Sequence, residues 1–112
     1  HVLEKYSQVS WWLHFHNTRG MAMANILAAM DAGMTRFDSA FGGLGGCPFV
    51  PGAAGNISSE DVIHMCDESG IKTGVDITKV MYAAKELREL LGHDLESYVL
   101  RAGRSCELFR QE

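Results

Sequence analysis

Two histidines lie two positions apart in an aromatic-rich stretch, residues 10–16, which reads SWWLHFH. If this stretch is a β-strand, the imidazoles of His14 and His16 point to the same face, with about 6.6 Å between equivalent positions. That geometry suits two nitrogen ligands on one metal ion. Two ordinary polar residues at the end of a strand would give the same pattern, so the HxH spacing alone leaves both interpretations open.

A cysteine lies in a glycine-rich loop, residues 42–56, which reads GGLGGCPFVPGAAGN. Gly45 and Gly46 let the backbone turn sharply, so the thiol of Cys47 can approach a bound ligand closely. There it could donate or accept a proton, or act as a nucleophile if a nearby cation adjusts its pKa. A buried cysteine in a tight turn is the alternative. The loop matches neither the dinucleotide motif GxGxxG nor the Walker motif GxxxxGK[ST], so no phosphate cradle is indicated.

Asn56 closes the same loop. Its amide oxygen could be a hard ligand for Mg²⁺ or Mn²⁺, although Gly-Asn is more commonly a turn. The remaining histidines and cysteines are assigned to surface or packing positions: His64, Cys66, His93 and Cys106. The three cysteines are spaced 19 and 40 residues apart, which fits neither a disulfide framework nor a CxxC zinc motif and favours a reducing compartment.

The elements that must position these side chains alternate in type. Residues 10–16 have the composition of a buried strand, and residues 35–41 (TRFDSAF) show the alternation of a second one. Residues 21–32, between them, are mostly helix formers. This helix is predicted to have one apolar stripe and a glycine just past its end: Met23, Leu27, Met30 and Gly33. Strand, helix and strand in this order predict two parallel strands joined by a right-handed crossover.

Two further helices are predicted after the loop. The first is capped by Ser58 or Ser59 and stops at Gly70, and the second has Asp76 as its N-cap and ends at Gly92. Their apolar residues are expected to face a core: Val62, Ile63, Met65 and Cys66 in the first, and Ile77, Val80, Met81, Ala84, Leu87 and Leu91 in the second. Residues 94–112 contain one weakly apolar turn and then a polar tail.

Two parallel strands do not form an independently stable sheet, because such sheets need several strands and cover on both faces. The chain is therefore expected to belong to a larger α/β structure, either a barrel of alternating strands and helices or a doubly wound sheet. Both architectures place functional residues at the carboxyl ends of strands. His14, His16 and the loop that contains Cys47 all lie at such ends.

Composition excludes several classes of protein. The chain has 112 residues, a net charge of −4 and 46% hydrophobic residues, which corresponds to at most one globular domain rather than a disordered, coiled-coil or collagen-like chain. A mildly acidic balance argues against a nucleic-acid partner. The longest uncharged stretch, residues 39–59, holds six glycines and two prolines and predicts a loop rather than a membrane span. The chain opens on His1 without Met, so its natural start is expected elsewhere.

Three segments, HFHNTRGMAMAN, DSAFGGLGGCPF and GAAGN, resemble the carboxyl-terminal part of the 3-hydroxy-3-methylglutaryl-CoA lyases, which are metal-dependent TIM-barrel lyases. The likeness runs from about Trp11 to about Leu91. GLGGCP is the lyase signature, and the related Claisen-condensing synthases lack its cysteine, which favours cleavage over condensation. The resemblance implies the last βα units of a (β/α)8 barrel plus C-terminal helices, with residues 1–112 forming the C-terminal portion of a single catalytic domain whose N-terminal part is absent here.

The same resemblance implies roles for particular residues. His14 and His16 would ligate a divalent cation, Mg²⁺ or Mn²⁺, and Asn56 would complete the ligands on this segment. Cys47 would be the catalytic thiol of the loop, and His14 would double as a proton-transfer residue. The family's remaining metal ligand, an Asp beside a catalytic Arg on the first strand, has no counterpart in these 112 residues. An acyl-CoA substrate, a homodimer of the full-length protein, no membrane partner and a cytoplasmic or mitochondrial location are expected.

The reaction implied is a retro-Claisen cleavage. A base removes the proton of the substrate's tertiary hydroxyl, the carbon–carbon bond breaks, acetoacetate leaves, and His14 or Cys47 protonates the enolate of acetyl-CoA. Where well-known lyases have HxHDTYG, this chain has Asn17 and Arg19, so a related thioester such as citramalyl-CoA stays open. An inactive fragment, or a zinc-binding module using His14, His16 and Cys47, is the other class of hypothesis. If the segment alone were active, Asp38 would be the first candidate for a substitute carboxylate.

Overall fold

The computed structural model describes residues 2–46, 52 and 54–110. Within them are two strands, β1 (Leu13–His14) and β2 (Phe37–Asp38), and five α-helices: α1 (Val2–Lys5), α2 (Ala22–Asp31), α3 (Ser59–Glu68), α4 (Ile77–Leu91) and α5 (Tyr98–Ala102). Short 3₁₀ turns occupy Thr18–Gly20, Phe41–Gly43 and Ser105–Arg110. No helix in the described part of the chain is long and apolar enough to span a membrane.

β1 and β2 are parallel neighbours, with Leu13 opposite Phe37 and His14 opposite Asp38. Helix α2 connects them, so the predicted order of strand, helix and parallel strand is confirmed. Each strand is shorter than its predicted range, and beyond the carboxyl end of each strand a third extended segment takes over the backbone hydrogen bonds. The N–H of Ile57 donates to the carbonyl of Phe15, and the Ile57 carbonyl accepts from the N–H of Ala40. In the sequence this segment looks like the end of a loop, and its pairing was not predicted.

Alternation along the strands separates two faces. Phe15 and Phe37 are partly buried against a cluster formed by Ala22, Ile26 and Ile57, which lies between the strands and the helices. The neighbouring positions along each strand point the other way. The opposite face therefore carries polar side chains from both strands: His14, His16 and Asp38.

Helix α2 packs on the strands through Met23 and Met30 as predicted, but through Ile26 in place of Leu27. Ile26 is buried, whereas Leu27 is 41% exposed, and Met23 and Met30 are partly buried. Both Ile26 and Leu27 have helical spacing from Met23 and Met30, so the sequence pattern does not decide which of them faces inward. The prediction for Leu27 was wrong. Gly33 follows the helix with φ of 96°, the left-handed conformation predicted for it.

The C-terminal helices form a second core of Ile77, Met81, Ala84, Leu95, Val99 and Leu100. Ser58 caps α3 by accepting from Asp61 N–H, and Asp76 caps α4 by accepting from the N–H of Thr78. Both caps confirm the sequence analysis, but Leu91, the last member of the predicted α4 stripe, is 42% exposed. Helix α5, capped by Ser97, replaces the weakly apolar turn expected there.

Two buried carboxylates connect these parts. Glu60 is fully buried, and its two oxygens accept from the N–H of Gly42 at 2.9 and 3.0 Å, while one of them also accepts from the Ser58 hydroxyl. Asp61 accepts from the N–H groups of Val99 and Tyr98 at the start of α5. Buried acids require such partners, so these two hold the loop and α5 against α3. In the sequence they look like ordinary acidic residues of a first helical turn, and their role was not predicted.

Gly42 is expected to tolerate a side chain less well than Gly74. Both have positive φ, 59° and 75°, so an alanine at either is strained by about 1–2 kcal/mol. A Cβ at Gly42 would also lie 2.5–2.8 Å from three side-chain atoms of Leu95, whereas nothing lies within 4 Å at Gly74. We expect Gly42→Ala to lower the free energy of unfolding by about 1–3 kcal/mol more than Gly74→Ala. Urea denaturation of the full-length variants measures this, and equal losses would contradict the packing.

Candidate active site and metal centre

The two histidines of the HxH stretch come together as predicted. His14 ends β1, and His16 follows one residue beyond it on the same face. Their ring centroids are 5.1 Å apart, and the ring planes are inclined by 68°. Two imidazoles at this separation can approach one small cation from different directions.

Asn56 lies beside His16 although forty residues separate them in the chain. The two residues form an antiparallel bridge, in which the N–H of Asn17 donates to the Gly55 carbonyl at 3.0 Å and the N–H of Ile57 to the Phe15 carbonyl at 3.1 Å. The segment that hydrogen-bonds beyond the ends of β1 and β2 therefore also carries Asn56 to this edge of the sheet.

The side chain of Asn56 is oriented by one hydrogen bond. Its Nδ2 donates to the carbonyl of Leu44 at 2.8 Å. A carbonyl can only accept, so the amide nitrogen must face it, and Oδ1 is turned the other way. That oxygen is buried and has no hydrogen-bond partner in the described part of the chain. A buried acceptor without a donor is costly, which indicates that a group outside the described part of the chain satisfies it.

Glycines make room for this arrangement. A Cβ at Gly55 would lie 2.2 Å from the carbonyl oxygen of Gly45, and one at Gly45 would lie 2.7 Å from Asn56 Nδ2. Neither distance is tolerable for a real side chain. The glycines on either side of Cys47 in the sequence therefore allow the two ends of the loop to lie against each other and against Asn56.

The donor set fits part of the coordination sphere of a hard divalent cation. Mg²⁺ and Mn²⁺ prefer oxygen and tolerate imidazole, and Asn56, whose Oδ1 has no partner among the described residues, pairs with His16. Among residues 2–46, 52 and 54–110 no group of three or more His, Cys, Asp or Glu side chains could hold a metal ion. A complete site therefore needs further oxygen ligands beyond the two histidines and the amide.

Asp38 joins this face of the sheet. Its Oδ1 lies 2.5 Å from Nδ1 of His14, the residue opposite it in the parallel register. From the sequence, Asp38 was only a candidate substitute carboxylate, and this contact was not predicted. Alternation places Asp38 on one face of β2. Whether that face is shared with His14 depends on the register between β1 and β2, which is not encoded in either strand alone.

Cys47 falls outside the described residues, so its position relative to the histidines stays a prediction. The other candidates assigned to packing or surface roles are described. Cys66 is buried in α3, where burial, followed by the charge of Asp67, raises the pKa of its thiol. Cys106 is exposed. His64 Nε2 lies 3.2 Å from the Ser105 hydroxyl, so that imidazole connects α3 with the last turn.

A family model described as HMGL-like matches residues 1–87. This chain belongs to the HMGL-like family. It is 46% identical over 93 residues to a hydroxymethylglutaryl-CoA lyase of Bacillus subtilis, covering 83% of this chain and 31% of that protein. It is 43% identical over 102 residues to an (R)-citramalyl-CoA lyase of Chloroflexus aurantiacus, covering 91% of this chain and 32% of that protein. The chain thus spans about a third of the length of these HMGL-like relatives.

Solved structures of HMGL-like proteins agree with the fold described above. An HMG-CoA lyase of Acinetobacter baumannii, in complex with coenzyme A and 3-methylmalate, superposes with a TM-score of 0.86 and 51% identity over 94% of this chain and 34% of that one. The HMG-CoA lyase of Bacillus subtilis superposes with a TM-score of 0.83 and 42% identity, covering 90% of this chain and 34% of that one. The predicted resemblance to the lyase family and the prediction of a partial TIM barrel are both confirmed.

Proposed function

We propose that the full-length protein containing this segment is a divalent-metal-dependent lyase that cleaves 3-hydroxy-3-methylglutaryl-CoA to acetoacetate and acetyl-CoA. Family membership supports the reaction class. The observation that carries the proposal is the buried Oδ1 of Asn56, which has no hydrogen-bond partner among the described residues, on the residue that pairs with His16, while the ring of His14 lies 5.1 Å from that of His16. Residues from two distant parts of the sequence thus pair at the carboxyl ends of the strands.

His14, His16 and Asn56 would hold Mg²⁺ or Mn²⁺. When bound, such an ion supplies Lewis-acid chemistry that lowers the pKa of the substrate's tertiary hydroxyl. A base then takes that proton, the carbon–carbon bond breaks, and its electron pair passes to the enolate of acetyl-CoA. The enolate carbon must receive a proton from a positioned acid to complete the reaction.

Cys47 is the acid that we assign to this last step. The resemblance gave His14 both a ligand role and a proton-transfer role. Asp38 engages Nδ1 of His14, so only Nε2 is available, and one nitrogen cannot bind a cation and transfer a proton at the same time. A thiol on the glycine-rich loop leaves His14 free to act as a ligand.

A related CoA thioester is the second candidate substrate. One relative at 43% identity is an (R)-citramalyl-CoA lyase, and this chain has Asn17 and Arg19 where the lyase pattern has Asp and Tyr. Arg19 is exposed and has φ of 59°, a left-handed conformation that costs a non-glycine residue about 1–2 kcal/mol. Strain of this kind is concentrated at functional sites, which places Arg19 among the residues that could select the acyl group.

The full-length protein is expected to release acetoacetate from 3-hydroxy-3-methylglutaryl-CoA only when Mg²⁺ or Mn²⁺ is present. A coupled assay of acetoacetate, run in parallel with citramalyl-CoA, compares kcat/KM for the two thioesters. Because Asn56 Oδ1 is proposed as a metal ligand and has no hydrogen-bond partner among the described residues, Asn56→Ala is expected to weaken Mn²⁺ binding by at least about tenfold.

Asn25→Ala is the matched control, since Asn25 is exposed on α2. Cleavage that persists after removal of metal by EDTA, or equal Mn²⁺ affinity in both variants, would contradict the proposed metal site. Absence of cleavage of both thioesters would contradict the lyase assignment. Light scattering of the same preparation tests the predicted homodimer, and fractionation of the source cells tests the proposed cytoplasmic or mitochondrial location.

A further inference from the structure

Asp38 is not among the three proposed metal ligands, yet it contacts one of them. Asp38 Oδ1 lies 2.5 Å from Nδ1 of His14, directly across the register of the two parallel strands. Backbone pairing fixes both residues, so the contact does not depend on two long, flexible side chains meeting by chance. His14 also lies beside His16, and the three side chains occupy the same face of the strands.

We propose that Asp38 is a positioning residue that sets the tautomer and the ring orientation of His14. This inference rests on the proposed function, in which His14 is a ligand. A carboxylate can only accept a hydrogen bond, so the proton of a neutral imidazole in contact with it must be on Nδ1. The lone pair is then on Nε2, on the far side of the ring from Asp38, where it is available to a cation.

The alternative is that the His14–Asp38 pair only stabilises the fold, but the stabilisation expected from such a pair is small. The side chains of His14 and Asp38 are 48% and 55% exposed, and ion pairs at such exposure contribute about 0–1 kcal/mol. A neutral His14 would contribute less still. Orientation is a larger effect, because a carboxylate bonded to the second nitrogen of a ligand histidine typically changes metal affinity about 10–100-fold.

Two substitutions of Asp38 separate a role in orienting His14 from a role of the carboxylate charge. Asp38→Ala removes the acceptor, whereas Asp38→Asn retains one acceptor oxygen for Nδ1, removes the charge and replaces the second oxygen by an NH₂ group. If orientation is the role of Asp38, the asparagine should preserve most of the affinity. Asp31→Ala is the matched control, because Asp31 is an exposed carboxylate in the last turn of α2, the helix that packs on the other face of the strands.

Mn²⁺ titration of the full-length protein at constant pH tests the proposal. We expect Asp38→Ala to weaken binding about 10–100-fold, Asp38→Asn to weaken it less than about tenfold, and Asp31→Ala to leave it unchanged. Independently of metal, ¹⁵N-labelled wild-type protein should show His14 protonated at Nδ1, and this signature should persist in Asp38→Asn and disappear in Asp38→Ala. Circular dichroism verifies that each variant is folded.

Several results would overturn the assignment. Mn²⁺ affinity of Asp38→Ala within about twofold of wild type would do so, as would equal losses in the Asn and Ala variants, which would point to charge rather than orientation. A wild-type imidazole protonated at Nε2 would also contradict it. Wild-type protein that binds no Mn²⁺ contradicts the proposed function itself, whereas normal wild-type binding with an unaffected Asp38→Ala variant contradicts only the role of Asp38.

Discussion

Replacing Cys47 by Ala or Ser in the full-length protein is expected to lower turnover about 10²–10⁴-fold, while metal content stays nearly unchanged. The range is that of a lost general acid, because the enolate carbon would then take its proton from water. Cys47 is proposed to donate this proton and not to coordinate the cation, so metal binding should not respond. Turnover and metal content measured on the same preparation separate the two effects.

Cys106→Ala is the control for this experiment, since that thiol is exposed. Near-normal turnover of Cys47→Ala would assign Cys47 to a packing role in the loop. Loss of the metal together with turnover, with zinc as the metal that copurifies, would favour the zinc-binding module instead, because zinc prefers Cys and His ligands. The three outcomes differ in metal content as well as in rate.

The fold could be predicted where local pattern decides it. Helix caps are local, since Ser58 and Asp76 each bond to backbone N–H groups two or three residues ahead. The parallel pairing of the strands also follows from the order of elements. The third extended segment does not, because its pairing depends on Ile57 bonding to both Phe15 and Ala40. Those partners are distant in sequence, and the glycine-rich residues that precede Asn56 have the composition of a loop.

In the candidate site, too, the sequence predicts what local pattern decides and not what depends on pairing between distant segments. Alternation predicts that His14 and His16 share a face, and their rings are indeed neighbours. That Asn56 lies beside His16, and that Asp38 contacts His14, are consequences of strand register. Register arises from packing between elements, so a one-residue shift would move Asp38 to the opposite face without changing either strand's own pattern.

These 112 residues, made alone, are expected not to cleave 3-hydroxy-3-methylglutaryl-CoA. The chain spans about a third of its relatives, and its Cα radius of gyration of 15.4 Å exceeds the about 13 Å of a compact domain of this length. Large apolar side chains are exposed in its structure, including Trp12, Met21, Leu27, Phe41, Leu90 and Leu91. A chain with so much uncovered apolar surface should be molten, aggregated or dependent on a partner.

Even a folded segment would hold the cation poorly. Two imidazoles and one amide oxygen supply no carboxylate, and the Asp that the family resemblance places on the first strand is absent, so Mg²⁺ would bind weakly and the site would lack a charge that the reaction uses. The assay is to purify the segment, add Mg²⁺ or Mn²⁺ and follow acetoacetate beside the full-length protein. Activity from the segment alone would require a substitute carboxylate, with Asp38 as the first candidate. Asp38 could then no longer be only the partner of His14, and the Asp38→Asn variant of the segment would have to be inactive.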